Sequence, residues 1–385
     1  MRTKKLTTVL LIITLLLPVL LTSCWDKREI NERAFINTIY IDKNYSKKLS
    51  PYISSDMKHR DNEELFVSFG IANAAEGEAK LTTFTHSVVA TTFGNATEKL
   101  DSETSRRPFF GHTKLVIFGK ELIDDPELFT EVLDDLERNT SIDRELKIIV
   151  AENSNITLEA LRPSTENLYS SYIDGVMSAA KSISYTIPMS MGQFFNDLRQ
   201  SEGRAVVPVV RMEGEKIKMD RVLLIDNYTS RRTMSSREVR GYKFFHGVDS
   251  NIMEYMRIED TLTSFKMTKI EKYIHFIGDE KNIKFTVKYN LYGSVTNYAF
   301  QKQIFDNKTA RDLEDKVIQH MSRQLLEVTD YFQNEIGLDY LGFNEYMIKY
   351  HPKVYKANKD WDAAFRNAEI DFKVDVNIQR FGDSK

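Results

Sequence analysis

The chain has 385 residues and one cysteine, with 53 Lys and Arg against 56 Asp and Glu for a formal net charge of −3. That balance excludes a nucleic-acid binder working through net positive charge, and a lone thiol excludes an internal disulfide framework. The length asks for two or three domains at about 100–200 residues each, and an apolar content of 42 % is that of a folded body with a real core.

The first element in chain order is an export signal. Arg2, Lys4 and Lys5 supply its basic start, and Val9 to Leu21 is apolar apart from Thr14 and Pro18. The run is short of the roughly 20 residues that span a bilayer. It ends in Leu21-Thr22-Ser23-Cys24, the pattern of a lipoprotein processing site. Residues 1–23 are therefore expected to be removed, leaving Cys24 as a lipidated, palmitate-bearing N-terminus whose paired acyl chains hold where one chain is marginal. The competing reading is an uncleaved anchor with an incidental cysteine. No second apolar run approaches membrane length, so the body is expected in water beside the bilayer.

Ala34 to Asp42 predicts the first strand, Leu65 to Ala72 a second and Ser87 to Phe93 a third, before a helix opening at Asn95. Gly111-His112-Thr113-Lys114 leads into an apolar strand, Leu115 to Phe118, closed by Gly119. His112 stands at no metal-ligand spacing from another histidine, and a structural role is the expectation. Asp124-Asp125-Pro126-Glu127 reads as a helix start, followed by a buried stripe of Leu128, Phe129, Val132, Leu133 and Leu136. Arg144 to Val150 returns as strand. Thr157 to Leu161, Leu168 to Ser182 and Met191 to Leu198 supply helical pieces.

The stretch behind the cysteine, Cys24-Trp25-Asp26, then Arg28-Glu29-Ile30-Asn31, Ala34 and a strand ending in Ile41-Asp42, resembles the mature start of the Ger(x)C lipoproteins, the C subunits of spore nutrient germinant receptors. The Gly-His-x-Lys strand ending in Gly119 is similar to the most regular motif of that family's N-terminal half. Tyr40 departs, standing where members commonly carry glycine.

At Gln200 to Arg204 the pattern breaks, and an extended run with Pro208 follows, placing a domain boundary there. The expected division is an N-terminal α+β domain over 24–199 and a C-terminal α+β domain over 205–385, undivided or split near 262. Between Asp220 and His246 the resemblance weakens. Arg231, Arg232, Arg237, Arg240 and Lys243 form a basic cluster there, read either as a solvated face or as a contact for an acidic partner or anionic headgroups.

Met267 to Ile277 and Asn282 to Val295 predict a hairpin around Gly278 to Lys281, and Lys308 to Ile336 one long amphipathic helix stopped by Gly337. Asp339-Tyr340-Leu341-Gly342-Phe343, Tyr350-His351-Pro352, Trp361, Phe365 and a final strand from Ala368 to Arg380, ending at Gly382, resemble the Ger(x)C C-terminal pattern closely. By residue type alone, Asn344 is expected to cap the short helix, and Trp361 and Phe365 to share one helical face.

No phosphate loop, Gly-x-Ser-x-Gly elbow or His-Glu-x-x-His helix is present, and the Ser-x-x-Lys pairs Ser55/Lys58 and Ser178/Lys181 lack the accompanying Lys-Thr-Gly. An enzyme, a metal site and a cofactor are therefore not expected. The resemblance implies a multi-domain α+β fold of mixed β-sheets with packed helices. It further implies assembly with two integral membrane receptor subunits, of A type and B type, at the spore inner membrane, with the body on the outer side. A solute-binding lipoprotein of a nutrient uptake system is the alternative, and an envelope hydrolase a third reading for which no residues can be nominated.

Overall fold

The computed structural model describes residues 32–44, 65–74, 81–153, 158, 161, 169–180, 185–214, 216–247, 252–258, 261–296 and 307–381. The leader, Cys24, Ser55, Lys58, Lys181 and Gly382 lie outside the described residues, as does most of the expected helix at 157–161.

The first lobe is built on β1 (Arg33–Lys43), whose apolar residues go to both faces: Ile39 and Ile41 enter one buried cluster and Tyr40 the other. On one side β1 continues into an antiparallel meander with β2 (Leu65–Ala74) and β3 (Leu81–Ala90). On the other lie parallel neighbours, first the short β4 (Arg107–Phe109) and β5 (Leu115–Phe118), then β6 (Lys147–Ala151) and β7 (Ala205–Glu213). Buried parallel strands read as unbroken apolar runs, and all four residues of β5 are buried.

One face of the sheet is covered by α1 (Phe93–Glu103), the short α2 (Lys120–Ile123), α3 (Pro126–Arg138) and, further along the chain, α5 (Met191–Gln200); the other packs against α4 (Tyr169–Ala180). α3 starts as its sequence predicts: Asp125 accepts from the Leu128 N–H at 3.2 Å, Pro126 occupies the first turn, and the expected five residues are buried. The third strand begins earlier than expected and ends at Ala90, because Thr92 caps α1 by accepting from Asn95 N–H and draws Phe93 into the helix.

The stretch at 200–204, where the sequence pattern breaks, is a tight reversal of the chain. Glu202 and Gly203 take left-handed backbone (φ 52° and 90°), and a Cβ on Gly203 would meet the Tyr228 ring at 2.8 Å. The reversal returns β7 beside β6, and β8 (Lys216–Asp226) and β9 (Thr229–Met234) extend the same sheet in antiparallel fashion to give the order β3-β2-β1-β5-β6-β7-β8-β9. The expected start of a second domain at 205 thus falls inside the first sheet, because pairing of β7 with a strand some sixty residues earlier leaves no local signal in the sequence.

The second lobe begins with α6 (Ser236–His246), entered through a capping box of Ser235 and Glu238 and closed by left-handed Gly247. Its sheet has the order β10-β11-β12-β13: β10 (Met253–Ile258), β11 (Thr261–Phe276), β12 (Lys284–Thr296) and β13 (Glu369–Phe381). The predicted hairpin is β11 and β12, turned where Asp279 accepts from Lys281 and Asn282 N–H. β13 is parallel to β12, so a crossover must connect them, and it carries the predicted long helix as α7 (Asn307–Asp330). The last six residues expected in that helix, Tyr331–Ile336, wind as a π-helix before left-handed Gly337 (φ 74°). Then come α8 (Phe343–Tyr350), α9 (Pro352–Ala357) and α10 (Trp361–Arg366). Pro352 opens α9 in addition to following α8, and Trp361 and Phe365 are both buried on α10. One buried apolar cluster runs through both lobes, from Ala34 to Val374.

Candidate functional site

A connected polar network lies where the lobes meet, and it is organised by the Asp339-Tyr340-Leu341-Gly342-Phe343 segment. Asp339 is 4 % exposed, and its carboxylate accepts from the backbone N–H groups of Leu341, Gly342, Phe343 and Asn344 and from the Trp361 indole at 2.9 Å. The first turn of α8 is therefore satisfied by Asp339 and not by the side chain of Asn344, which lies inside the helix; a loop carboxylate four residues upstream reaches the same N–H groups. Gly342 sits at φ 81°, a turn that favours glycine. The Tyr340 hydroxyl donates to the Ile225 carbonyl of β8 at 2.7 Å, fixing the loop to the first lobe.

Arg204, at the reversal before β7, completes the junction. Its guanidinium forms a two-pronged pair with Asp362 of α10 (2.9 and 2.6 Å) and a third bond to Asp226 at the end of β8 (2.9 Å). Burial works against this charge, but the hydrogen bonds to both carboxylates outweigh it and hold Arg204 above the ordinary range. Asp362 also accepts from the Asp339 N–H, so the clamp and the loop form one network.

Beside the network a cavity of about 430 Å³ opens between α5, α6, β11 and α8. His246 Nε2 faces the Tyr340 carbonyl at 3.2 Å and must carry its proton to donate; burial, with Lys272 adding to it, pushes the imidazole down to about 3, so it is neutral. Burial also brings Lys272 down to about 8, and its ammonium donates to the Phe245 carbonyl while lying over that ring. Across the cavity, burial and then the Glu345 carboxylate raise Asp197 to about 6.

That last shift has a consequence for stability. An acid whose folded pKa lies above its unfolded value contributes stability below about 4 that is lost as the pH rises to about 6. Asp197→Asn is expected to stabilise the protein at pH 7 by about 1 kcal/mol after allowance for solvent screening, and to change little near pH 4. Thermal melts at the two pH values check this, and equal effects at both would contradict it.

The five basic positions singled out in the sequence do not form one patch. Arg231 is exposed at β9, and Arg232 and Arg237 are exposed but ion-paired, with Glu335 (3.1 Å) and Glu327 (2.8 Å). Arg240 is half-buried over the Tyr185 ring, and Lys243 is buried at 1 % exposure. The helical period of α6 separates them, turning Lys243 inward while Arg237 faces solvent. His112 packs against the Phe35 and Phe109 rings, and Ser178 is exposed on α4. Among the described residues no group of three or more His, Cys, Asp or Glu side chains could hold a metal ion, and no helix is long and apolar enough to cross a membrane. Sequence reasoning missed Asp197, Arg204, Lys272 and Glu345; a charged side chain at an interlobe seam has the same local pattern as one on an open surface.

Two family models match the chain in succession, a spore germination protein N-terminal domain over residues 26–212 and a spore germination B3/GerAC-like C-terminal domain over residues 221–382. Curated relatives from Bacillus subtilis (strain 168) include spore germination protein YndF, 22 % identical with 97 % of each chain covered, and spore germination protein A3, 22 % identical with 94 % of this chain and 95 % of that one covered. Spore germination protein KC of the same organism is 21 % identical over 97 % of this chain and 95 % of its own. The crystal structure of the GerBC protein shares the fold at a TM-score of 0.59 and 14 % identity, covering 83 % of this chain and 95 % of that one. Matched in order along both halves, and folded alike, the chain belongs to the Ger(x)C family of spore germination proteins.

Proposed function

We propose that this protein is the lipid-anchored C subunit of a spore nutrient germinant receptor. It acts by assembling with integral membrane subunits of A type and B type, without catalysis and without a cofactor. The observation that carries the reading is the ordered match of both halves to spore germination families, directly behind a leader ending in Leu21 to Cys24. A diacylated Cys24 confines the body to the outer side of the spore inner membrane, turning a dilute search for membrane partners into a local one. The uptake-lipoprotein alternative expects two similar lobes, whereas here one is built on a nine-stranded sheet and the other on a four-stranded one.

Spores carrying Cys24→Ala are expected to lose lipid labelling of the protein, to release it from the inner membrane fraction and to respond poorly to the matching nutrient. A normal response by unlabelled protein would count against the receptor reading. Of the basic positions, Arg231 with the rim pairs of Arg232 and Arg237 offers side chains to an acidic partner or to headgroups, while Arg240 and Lys243 would act from behind that rim. Charge reversal at Arg231 and Arg232 together should lower co-purification of the membrane subunits while shifting thermal unfolding little, since exposed ion pairs are worth about 0–1 kcal/mol. Unchanged co-purification would return these residues to a solvated face.

A further inference from the structure

A second cavity, of about 630 Å³, lies between α6 and α7, away from the interlobe junction. Its walls are unusual in what they leave unpaired. Among the described residues, seven buried side-chain polar atoms have no hydrogen-bond partner, and four of them gather here: Arg240 Nε, Gln324 Oε1, the Tyr331 hydroxyl and Glu254 Oε1. Buried polar groups are normally satisfied, so such a concentration marks a place where partners are missing. Arg240, Gln324 and Tyr331 line the cavity, and Tyr331 is only 5 % exposed.

Glu254 of β10 is fully buried, one side chain behind the wall. Its Oε2 accepts from the Gln324 amide at 3.0 Å, and among the described residues His320 Nε2 stands 3.9 Å away. The same Gln324 amide nitrogen also lies 3.2 Å from His320 Nε2. On the opposite sign, neither Arg240 nor Arg323 pairs with a carboxylate among the described residues, although both line the cavity. Among the described residues the cavity thus carries two guanidinium groups without a carboxylate partner, the half-buried Arg240 and the exposed Arg323, and, behind Gln324, a fully buried carboxylate whose Oε1 has no hydrogen-bond partner. Leaving Glu254 buried in this state is costly, and a ligand that brings an ammonium towards it and an anionic group to the two guanidinium groups would relieve it.

We propose that the α6–α7 cavity binds a small zwitterion: a primary ammonium received by Gln324 Oε1 and the Tyr331 hydroxyl, with Glu254 supplying the counter-charge, and an anionic oxygen group received by Arg240 and Arg323. Two sources carry that chemistry, a free α-amino acid and the ethanolamine phosphate headgroup of a membrane lipid beside which an anchored body would sit. The site is independent of the receptor assembly proposed above and is tested without it.

The test uses the full lipidated chain in nanodiscs of phosphatidylglycerol, which has no amine, titrated calorimetrically with each of the twenty amino acids and with O-phosphoethanolamine up to about 10 mM. Saturable binding of at least one zwitterion is expected, with loss of binding for its N-acetyl and carboxamide derivatives. Glu254→Gln, which keeps the shape and removes the charge, and Arg323→Ala, at an exposed position, should each weaken binding at least about tenfold. Should Glu254→Gln fail to fold, Arg323→Ala carries the test. Binding by O-phosphoethanolamine alone, together with protection of the α6 and α7 amides from exchange in phosphatidylethanolamine but not phosphatidylcholine nanodiscs, would identify the headgroup as the source. Absence of binding by every probe, or wild-type affinity in both variants with unchanged melting, overturns the proposal.

Discussion

Replacing Asp339 with alanine is expected to cost at least about 4–5 kcal/mol and to leave the second lobe unfolded under conditions where the wild type is stable. The carboxylate is buried and is the acceptor for four successive backbone N–H groups and the Trp361 indole. Alanine removes every one of those acceptors while α8 and Trp361 keep the donors in place. Each donor left buried without a partner costs about 1–3 kcal/mol, and although the sum is not additive, several must be orphaned together. The loss reaches the first lobe as well, because the same loop presents Tyr340 to Ile225 and the Asp339 N–H to Asp362, the partner of Arg204. Asp339→Asn should be less severe but still damaging, since one carboxamide terminus would point a donor at N–H groups that can only donate. Urea unfolding measures both variants; an alanine variant losing less than about 2 kcal/mol would mean that this loop does not organise the junction.

Much of this architecture is legible in the sequence where the signal is local. The acidic cap and proline of α3, the alternation of β12, the three-and-four spacing of α7 and the Gly337 stop each place an element within a few residues of where it stands. What is not legible depends on partners far along the chain. Nothing within Ala205 to Met234 announces that it completes a sheet begun at Arg33, because an extended run looks the same whichever strand it pairs with. Charged residues are the second blind spot. Lys243 and Glu254 read as surface positions by type, yet both are buried, Lys243 beside the interlobe cavity and Glu254 behind α7, where the Gln324 amide donates to it. The Asp339 loop stood out in the sequence only through its resemblance to a family pattern; its physical role appears once five donors are seen converging on one carboxylate.

Gly119→Ala is expected to be nearly as damaging in the first lobe, about 3–5 kcal/mol, although the backbone of Gly119 is ordinary and open to any residue (φ −72°, ψ 152°). The obstacle is space. A Cβ there would stand 1.9 Å from Cγ of Asp42 and 2.1 Å from its Oδ2, far inside contact distance. Asp42 cannot simply yield, because it accepts from the Tyr40 hydroxyl at 2.9 Å, from the Lys43 N–H at 2.8 Å and from the Leu122 N–H at the start of α2 at 2.9 Å. Moving it would orphan buried donors on both sides of the β1–β5 pair. The residue that closes the Gly-His-x-Lys strand is therefore glycine because the carboxylate closing the first strand occupies the room a side chain would take. This account predicts a coupling: once Asp42 has been shortened to alanine, adding Gly119→Ala should cost much less than it does in the wild type, so the double variant is more stable than the two single losses together imply. Denaturant unfolding of the four proteins in the cycle measures it. If the two losses are additive, the clash is not what constrains Gly119, and the explanation must lie in the helix start itself.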